Sequence, residues 1–171
     1  MAGDVPVTLR GLLPTPQGVG VFLGNDQKVM AIFVDHLVAA AMTMAIKDLS
    51  PPRPLTHDLL VNVLAGFGVR VRKVVINDLK DETFFARLHL VQENELGRNL
   101  VEIDARPSDS IVLALRHRCP IVVARSVWDA AEDMTWALDQ AKERAEEDRR
   151  KDEESGDPPE DGIDRGGEES E

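Results

Sequence analysis

Most of the acidic charge of this chain lies at its C-terminal end, and this distribution limits how much of the chain can build a core. Residues 129–171 contain 18 Asp and Glu against 6 Lys and Arg, whereas residues 1–128 contain 13 against 14. A segment rich in charge and poor in apolar side chains cannot offset its conformational entropy by burial. We therefore expect one folded domain over residues 1–125 and a disordered acidic tail over residues 151–171.

Between these two parts, the sequence predicts one amphipathic helix over residues 126–150. Ser126 followed by Asp129 resembles a capping box and marks the start of the helix. The apolar side chains recur at steps of three and four, as on one buried helix face; they are Val127, Ala131, Met134, Leu138, Ala141 and Ala145.

The first 125 residues alternate between strand-like and helix-like patterns. Helices are predicted over residues 37–47 after the cap Asp35, over residues 56–67 after the cap Thr56, and from Ser108 onward. Hairpin turns are expected at residues 24–27 and 77–83. Apolar and β-branched runs predict strands at residues 5–13, 19–23, 29–34, 69–76, 84–91, 100–104 and 121–123.

The location expected from the sequence is the cytoplasm. Cys119 is the only cysteine, so an internal disulfide is impossible and a reducing compartment is indicated. The first residues lack the basic and apolar regions of a secretory signal. The longest unbroken apolar stretch, residues 37–42, is far shorter than the ~20 residues of a membrane-spanning helix, and no membrane partner is expected.

A first candidate site contains Asp104, Arg106 and Asp109, at the boundary between a predicted strand and a predicted helix. Two carboxylates and a guanidinium at this spacing can bind a divalent cation and a phosphate, which a phosphodiesterase requires. The same residues also suit structural roles, because Asp109 complements the helix dipole and Asp104 can pair with Arg106. The spacing alone leaves both interpretations open.

A second candidate site contains His57 and Asp58, at the start of a predicted helix and close to Arg53. Histidine titrates near neutral pH, so His57 can act as a general acid or base. The alternative is a solvated histidine beside a carboxylate that only complements the helix dipole.

Two stretches that contain these residues resemble the bifunctional nuclease domain family, whose members in bacteria and plants are credited with cleaving DNA and RNA. Residues 51–60 read PPRPLTHDLL, and residues 104–116 read DARPSDSIVLALR. The resemblance covers roughly residues 5–128. It implies an α+β fold, a single domain with a mixed, strongly twisted β-sheet and three packed helices. It also implies a homo-oligomer in which the two polar stretches lie close together in each chain.

The chain departs from this family at the start of its first predicted helix. Family members typically read Trp-Ile-Gly and then a Glu-Ala pair, whereas residues 33–39 here read FVDHLVA. Val38 stands at the position of the glutamate. If that glutamate binds a metal or activates water, this chain has lost a ligand, for which Asp35, one turn earlier, is the alternative.

We therefore expect a metal-assisted nuclease of low sequence specificity that acts on DNA and RNA. Asp104 and Asp109 are the predicted ligands of Mg²⁺ or Mn²⁺, and His57 is the predicted proton shuttle. The predicted catalytic residues are His57, Asp58, Asp104 and Asp109, and the predicted phosphate contacts are Arg53 and Arg106.

The alternative is a non-catalytic regulatory or assembly module of the same fold that binds a protein or a small anion. Val38 favours this alternative. The modest basicity of the domain also favours it, because proteins that follow a nucleic-acid backbone usually carry a clear excess of Lys and Arg.

Overall fold

The structure, a computed structural model, describes residues 3–16, 18–95 and 97–155. It divides into two compact units, Met1–Leu138 and Asp139–Glu171, and the first contains the sheet and the candidate site. The elements in chain order are β1 (Val5–Thr15), β2 (Gly18–Gly24), β3 (Val29–Val34), α1 (His36–Ile46), α2 (Thr56–Gly66), β4 (Val69–Lys80), β5 (Thr83–Asn94), β6 (Gly97–Ala105), α3 (Pro107–His117), β7 (Ile121–Val123), α4 (Arg125–Ala130) and α5 (Thr135–Ser155).

The described strands form one mixed sheet in the order β3-β2-β1-β7-β4-β5-β6. Strand β7 has three residues and lies at the centre, antiparallel to β1 and parallel to β4. It therefore joins the antiparallel group β1–β3 to the antiparallel group β4–β6. The mixed sheet and the α+β class are confirmed, and the described residues contain five helices.

The core lies between this sheet and the helices α1 and α3. Helix α3 contributes a continuous buried run from Ser110 to Ala114, and α1 contributes Val38, Ala39 and Met42. Leu113 is one of the largest fully buried side chains. Because α3 is fixed in this way, the orientation of its first turn is fixed as well, and that turn carries Asp109.

The turn between β4 and β5 is shorter than predicted. Residues 77–80 continue strand β4, and only Asp81 and Glu82 form the turn. Both residues have positive φ, 47° and 60°, which matches a two-residue hairpin turn of type I′. The turn predicted over residues 77–83 contains both residues, but its short length was not indicated, because glutamate, unlike aspartate, rarely occurs in such a turn.

The single helix predicted over residues 126–150 is wrong, because two helices occupy this region. Helix α4 starts after the cap residue Ala124, not at Ser126, and ends where Ala131 becomes extended, with φ −66° and ψ 143°. The carboxylate of Asp133 then accepts a hydrogen bond from the backbone N–H of Thr135 at 3.0 Å, where α5 begins.

A lysine from a distant part of the chain accounts for the interruption. The ammonium group of Lys28 donates hydrogen bonds to the backbone carbonyls of Trp128 and Ala131. These carbonyls lie at the end of α4, where the helix itself supplies no donors. The end of α4 is therefore satisfied by residue 28, which no local pattern could reveal.

Helix α5 continues through residues 151–155, beyond the predicted helix end at residue 150 and into the stretch predicted as a disordered tail over residues 151–171. Residues 156–171 lie outside the described residues. Helix α5 is rich in Ala, Glu, Lys and Arg, which have high helix propensity, and this explains a helical backbone without a continuous apolar face. No helix in the described part of the chain has the length and apolar character needed to cross a lipid bilayer.

Candidate active site

The two polar stretches singled out in the sequence contact each other through His57 and Asp109. His57 is the second residue of α2, and Asp109 is the third residue of α3. Nε2 of His57 lies 3.0 Å from Oδ1 of Asp109, although the residues are 52 positions apart. The starts of the two helices therefore lie side by side. One residue from each predicted site meets there.

Arg106 binds the same carboxylate from the other side. Its Nε donates to Oδ2 of Asp109 at 2.8 Å, and its Nη2 donates to Oδ1 at 3.3 Å. Arg106 caps α3, and Pro107 occupies the first helical position. The Arg106 side chain is 70% exposed. Only two of its five N–H groups have a partner among the described residues. We call this group the His57–Asp109–Arg106 cluster.

The charge state of Asp109 fixes the position of the proton on His57. Partial burial acts to raise the pKa of Asp109, but the hydrogen bonds from Arg106 and His57 outweigh it and lower this pKa below its ordinary value. Asp109 is thus ionised at neutral pH and can only accept hydrogen bonds. In this contact Nε2 of His57 is therefore the donor, and whenever the ring carries a single proton, Nδ1 has a lone pair.

Two clefts open beside the cluster. His57 lines a cleft of about 520 Å³ together with Leu37, Val38 and Leu55. Arg106 lines a separate cleft of about 400 Å³, whose other aromatic and polar lining residues are Phe33, Phe84, Asp35, Glu82, Thr83 and Ser108. The two outer members of the cluster therefore each reach a surface opening, while Asp109 connects them.

Asp58 connects helix α2 to helix α3. Its Oδ2 accepts from the backbone N–H of Leu55 at 3.1 Å, so Leu55, and not the predicted Thr56, is the cap residue of α2. Its Oδ1 pairs with Arg116 of α3 at 3.0 Å, where the side chains are only 20% and 13% exposed. Both carboxylate oxygens are engaged. The catalytic role of Asp58 stays a prediction.

Asp104 forms no hydrogen bond or ion pair with the His57–Asp109–Arg106 cluster. It is exposed on β6, opposite Arg87 of β5, and it forms no hydrogen bond or ion pair with the described residues. Within the described part of the chain, no group of three or more His, Cys, Asp or Glu side chains can hold a metal ion. The predicted metal ligands Asp104 and Asp109 stay a prediction.

Arg53 is exposed in the connection between α1 and α2, four positions before His57. It makes no hydrogen bond or ion pair with the described part of the chain. Its side chain is thus available to a ligand near the cluster. The predicted phosphate contact stays a prediction.

Val38 and Asp35 lie on different sides of the cluster. Val38 is buried against the core and lines the cleft of His57. Asp35 lines the cleft of Arg106, and its Oδ1 accepts from the backbone N–H of Val38 at 2.9 Å, as the predicted cap of α1. Asp35 therefore adds a carboxylate beside Arg106 and leaves the side of His57 apolar.

Sequence reasoning missed the aromatic residues of the Arg106 cleft. Phe33 lies in β3 between Ile32 and Val34, both of which are buried, whereas Phe33 itself is exposed. The signal was present in the sequence, because side chains alternate between the two faces of a strand. An aromatic residue between two core positions therefore faces away from the core.

The family model and the named relatives that match this chain carry the same family name. A family model described as "Bifunctional nuclease domain" matches residues 21–135. An uncharacterized protein of Mycobacterium tuberculosis strain H37Rv is 37% identical over 115 residues, which are 66% of this chain and 66% of that protein. Bifunctional nuclease 1 of Oryza sativa subsp. indica is 28% identical over 105 residues, which are 61% of this chain and 31% of that protein. Bifunctional nuclease 2 of Oryza sativa subsp. japonica is 27% identical over 114 residues, which are 67% of this chain and 35% of that protein. The match thus spans about a third of the rice proteins.

Proposed function

Because the chain belongs to the bifunctional nuclease domain family, we propose that it is a nuclease that cleaves phosphodiester bonds of DNA and RNA with low sequence specificity. The observation that supports this most directly is the contact of His57 and Arg106 with the same Asp109 carboxylate. The contact combines a group that can transfer a proton with a cation that can bind a phosphate oxygen.

His57 is the proton-transferring residue of this proposal. With the proton on Nε2 held by Asp109, the Nδ1 lone pair can accept a proton from an attacking water. The resulting imidazolium is stabilised by the ionised carboxylate and can return the proton to the leaving oxygen. Asp109 thus acts as the orienting and charge-compensating group.

Arg106 is the phosphate-binding residue. Its three N–H groups that do not bind Asp109 can donate to non-bridging phosphate oxygens, on which negative charge increases in the transition state. Arg53, exposed four positions before His57, is proposed to contact a neighbouring phosphate of the same strand.

The test is cleavage of single-stranded circular DNA and of RNA by the purified full-length protein. We expect His57→Ala and Asp109→Asn to lower the rate at least about 100-fold, the range that general acid–base catalysis contributes. Asp129→Asn is the matched control, since Asp129 binds Nε of Arg125 much as Asp109 binds Nε of Arg106, but at an exposed position of α4. The assay is run with Mg²⁺, with Mn²⁺ and with a chelator, because the predicted metal dependence rests on Asp104 and Asp109.

Two outcomes would contradict the proposal. Wild-type rates in the folded His57→Ala protein would show that the cleavage comes from another residue or from a contaminant. Equal loss in Asp129→Asn would show that the effect is one of stability. Loss of activity in Asp104→Ala together with sensitivity to chelator would support a metal that is completed by substrate or by a second chain.

The second candidate function is an assembly module, and helix α2 supplies the observation that favours it. None of the residues of α2, all of which the structure describes, is fully buried. Its outer face carries exposed apolar side chains, namely Leu59, Leu60, Val63 and Phe67. We propose that this face mediates the predicted homo-oligomer, since contiguous exposed apolar patches mark interfaces. The nuclease proposal and self-association are compatible.

A further inference from the structure

The cleft beside Arg106 contains an aromatic ring that the fold leaves exposed. Phe33 is 64% exposed, whereas its neighbours in β3, Ile32 and Val34, are 6% and 9% exposed. Phe84 of β5 lines the same cleft. Exposure of an apolar aromatic ring to water is unfavourable. The exposed position of Phe33 beside a cleft therefore indicates a ligand that covers the ring.

The ring of Phe33 is held over a glycine of the neighbouring strand. Phe33 lies opposite Gly20 in the register of β2 and β3. A Cβ atom placed on Gly20 would lie 3.5 Å from Cε1 of Phe33 and 3.0 Å from Cε2 of Phe22. The glycine thus gives the ring room to rest against the backbone of β2. A ring supported on one side is preorganised to stack on a flat ligand on the other.

The charges around the cleft select what can occupy it. Asp35 and Glu82 place two carboxylates in the lining, and Arg106 places one guanidinium there. A phosphate inside the cleft would be repelled by the carboxylates, whereas a neutral flat group would not. A phosphate is therefore favoured at Arg106, and a neutral ring is favoured against Phe33.

We propose that this cleft binds one unpaired nucleobase of a single-stranded nucleic acid, stacked on Phe33, while the adjoining phosphate contacts Arg106. The proposal rests on the proposed nuclease function and specifies its substrate class. The cleft volume of about 400 Å³ lies within the range of small-molecule sites. Base stacking on aromatic side chains is the usual way in which proteins bind single strands without reading their sequence.

The proposed base site is linked to the proton-transferring residue His57 through the cluster. Arg106 and His57 bind the same carboxylate, so only Asp109 links a phosphate held by Arg106 to the imidazole of His57. The bases of a duplex are paired and stacked on each other, and reaching Phe33 would require extruding one of them. Single-stranded or locally unpaired nucleic acid is therefore the preferred substrate.

The test is binding of a short fluorescein-labelled oligodeoxynucleotide, single-stranded and as a duplex, measured by fluorescence anisotropy in the presence of a chelator. Phe33→Ala should weaken single-strand binding roughly 5- to 150-fold, the range found when a stacking aromatic is removed. Duplex binding should change less than about twofold. Phe33→Trp should bind the single strand at least as tightly as the wild type, since its ring system is larger.

Phe85→Ala is the matched control, because Phe85 is 38% exposed and adjoins Phe84 in β5 but lines neither cleft. Its single-strand affinity should equal that of the wild type. If circular dichroism shows that Phe33→Ala does not fold, Phe33→Leu replaces it. This variant keeps a large apolar side chain without an aromatic ring, and the same loss of single-strand affinity is expected.

The outcomes separate this proposal from the function on which it rests. If the wild type cleaves and binds single strands but Phe33→Ala and Phe33→Leu bind equally well, the base site is wrong and the nuclease proposal stands. If the wild type neither binds nor cleaves nucleic acid, both are wrong. If Phe33→Ala leaves binding intact but changes the sedimentation coefficient, a second copy of the chain covers Phe33, and the base site is again wrong.

Discussion

Helices α2 and α3 have the same length, 11 residues, and each supplies one residue of the His57–Asp109 contact, yet they use their apolar side chains in opposite ways. Helix α3 buries a continuous run from Ser110 to Ala114, whereas α2 leaves most of its apolar residues exposed. An apolar helical stripe in a sequence therefore does not distinguish a core helix from an interface helix. The candidate site joins a helix fixed in the core to a helix held mainly by side-chain contacts.

The largest expected difference between the two helices is in their contribution to stability. Leu113→Ala in α3 should lower the free energy of unfolding by about 2–5 kcal/mol, because it leaves a cavity at a fully buried position. Leu59→Ala in α2 should change it by less than about 0.5 kcal/mol at low protein concentration, because Leu59 is exposed. Urea unfolding measures both.

The same pair of variants tests the role of the exposed face. In sedimentation velocity, Leu59→Ala should shift an oligomer towards monomer, whereas Leu113→Ala should not at temperatures where it is folded. Equal losses of stability for the two variants in the monomer would show that α2 packs into the core, and the contrast between the helices would not hold.

The contact between Asp58 and Arg116 should be the next most costly to remove, since it ties α2 to α3. Asp58→Asn keeps an acceptor for the N–H of Leu55 but removes the charge that pairs with Arg116. We expect a loss of about 1.5–3 kcal/mol in unfolding free energy, the value of a hydrogen bond to a charged group. Asp129→Asn, at an exposed pair with Arg125, should cost less than about 0.5 kcal/mol.

The activity of Asp58→Asn then separates its two possible roles. If Asp58 only positions α2, kcat at temperatures below the Tm should stay near that of the wild type, because both of its oxygens are engaged by Leu55 and Arg116. Loss of kcat in a protein with native circular dichroism would instead support the catalytic role predicted from the sequence.

The smallest expected effect concerns His117 at the end of α3, whose pKa is lowered by burial. Its Nε2 is buried without a partner in the described part of the chain, so the neutral form is favoured by the fold. The unfolded chain binds the proton at a higher pH than the native protein. Stability should therefore fall as the pH decreases below about 6.5, the ordinary histidine value, and His117→Gln should reduce this dependence in urea titrations at pH 7 and pH 5. If the free energy of unfolding of His117→Gln depends on pH as strongly as that of the wild type, the dependence belongs to another group. His89 is one such group, because burial lowers its pKa as well.

Local patterns in the sequence were sufficient for most of the elements. The alternation in β3, the cap Asp35 and the apolar run of α3 all depend on neighbours in the chain, and the structure contains these features close to the predicted residues. The break after α4 and the two-residue length of the turn at Asp81 could not be predicted in this way. The first depends on Lys28, about 100 positions away, and the second on Glu82, a residue type that rarely adopts positive φ.

The same distinction applies to the candidate site. His57 and Asp109 were identifiable because both lie at the start of a predicted helix, and functional side chains are often found at the ends of helices and strands. Their contact with each other and the pairing of Asp104 with Arg87 across the sheet depend on how α2, α3 and β6 are placed in three dimensions. The engagement of Asp58 with Arg116 has the same origin, since Arg116 lies 58 positions further along the chain, on another helix.

The central position of β7 has a consequence for synthesis on the ribosome. Strands β1 and β4 pair with the same three residues, Ile121–Val123, so neither half of the sheet has its inner neighbour until this late segment has left the exit tunnel. During that interval the nascent polypeptide displays two unpaired edges, which are prone to intermolecular association. We expect ribosome-bound chains arrested before residue 121 to recruit holdase chaperones, and chains arrested well beyond residue 123 to be protected from proteolysis.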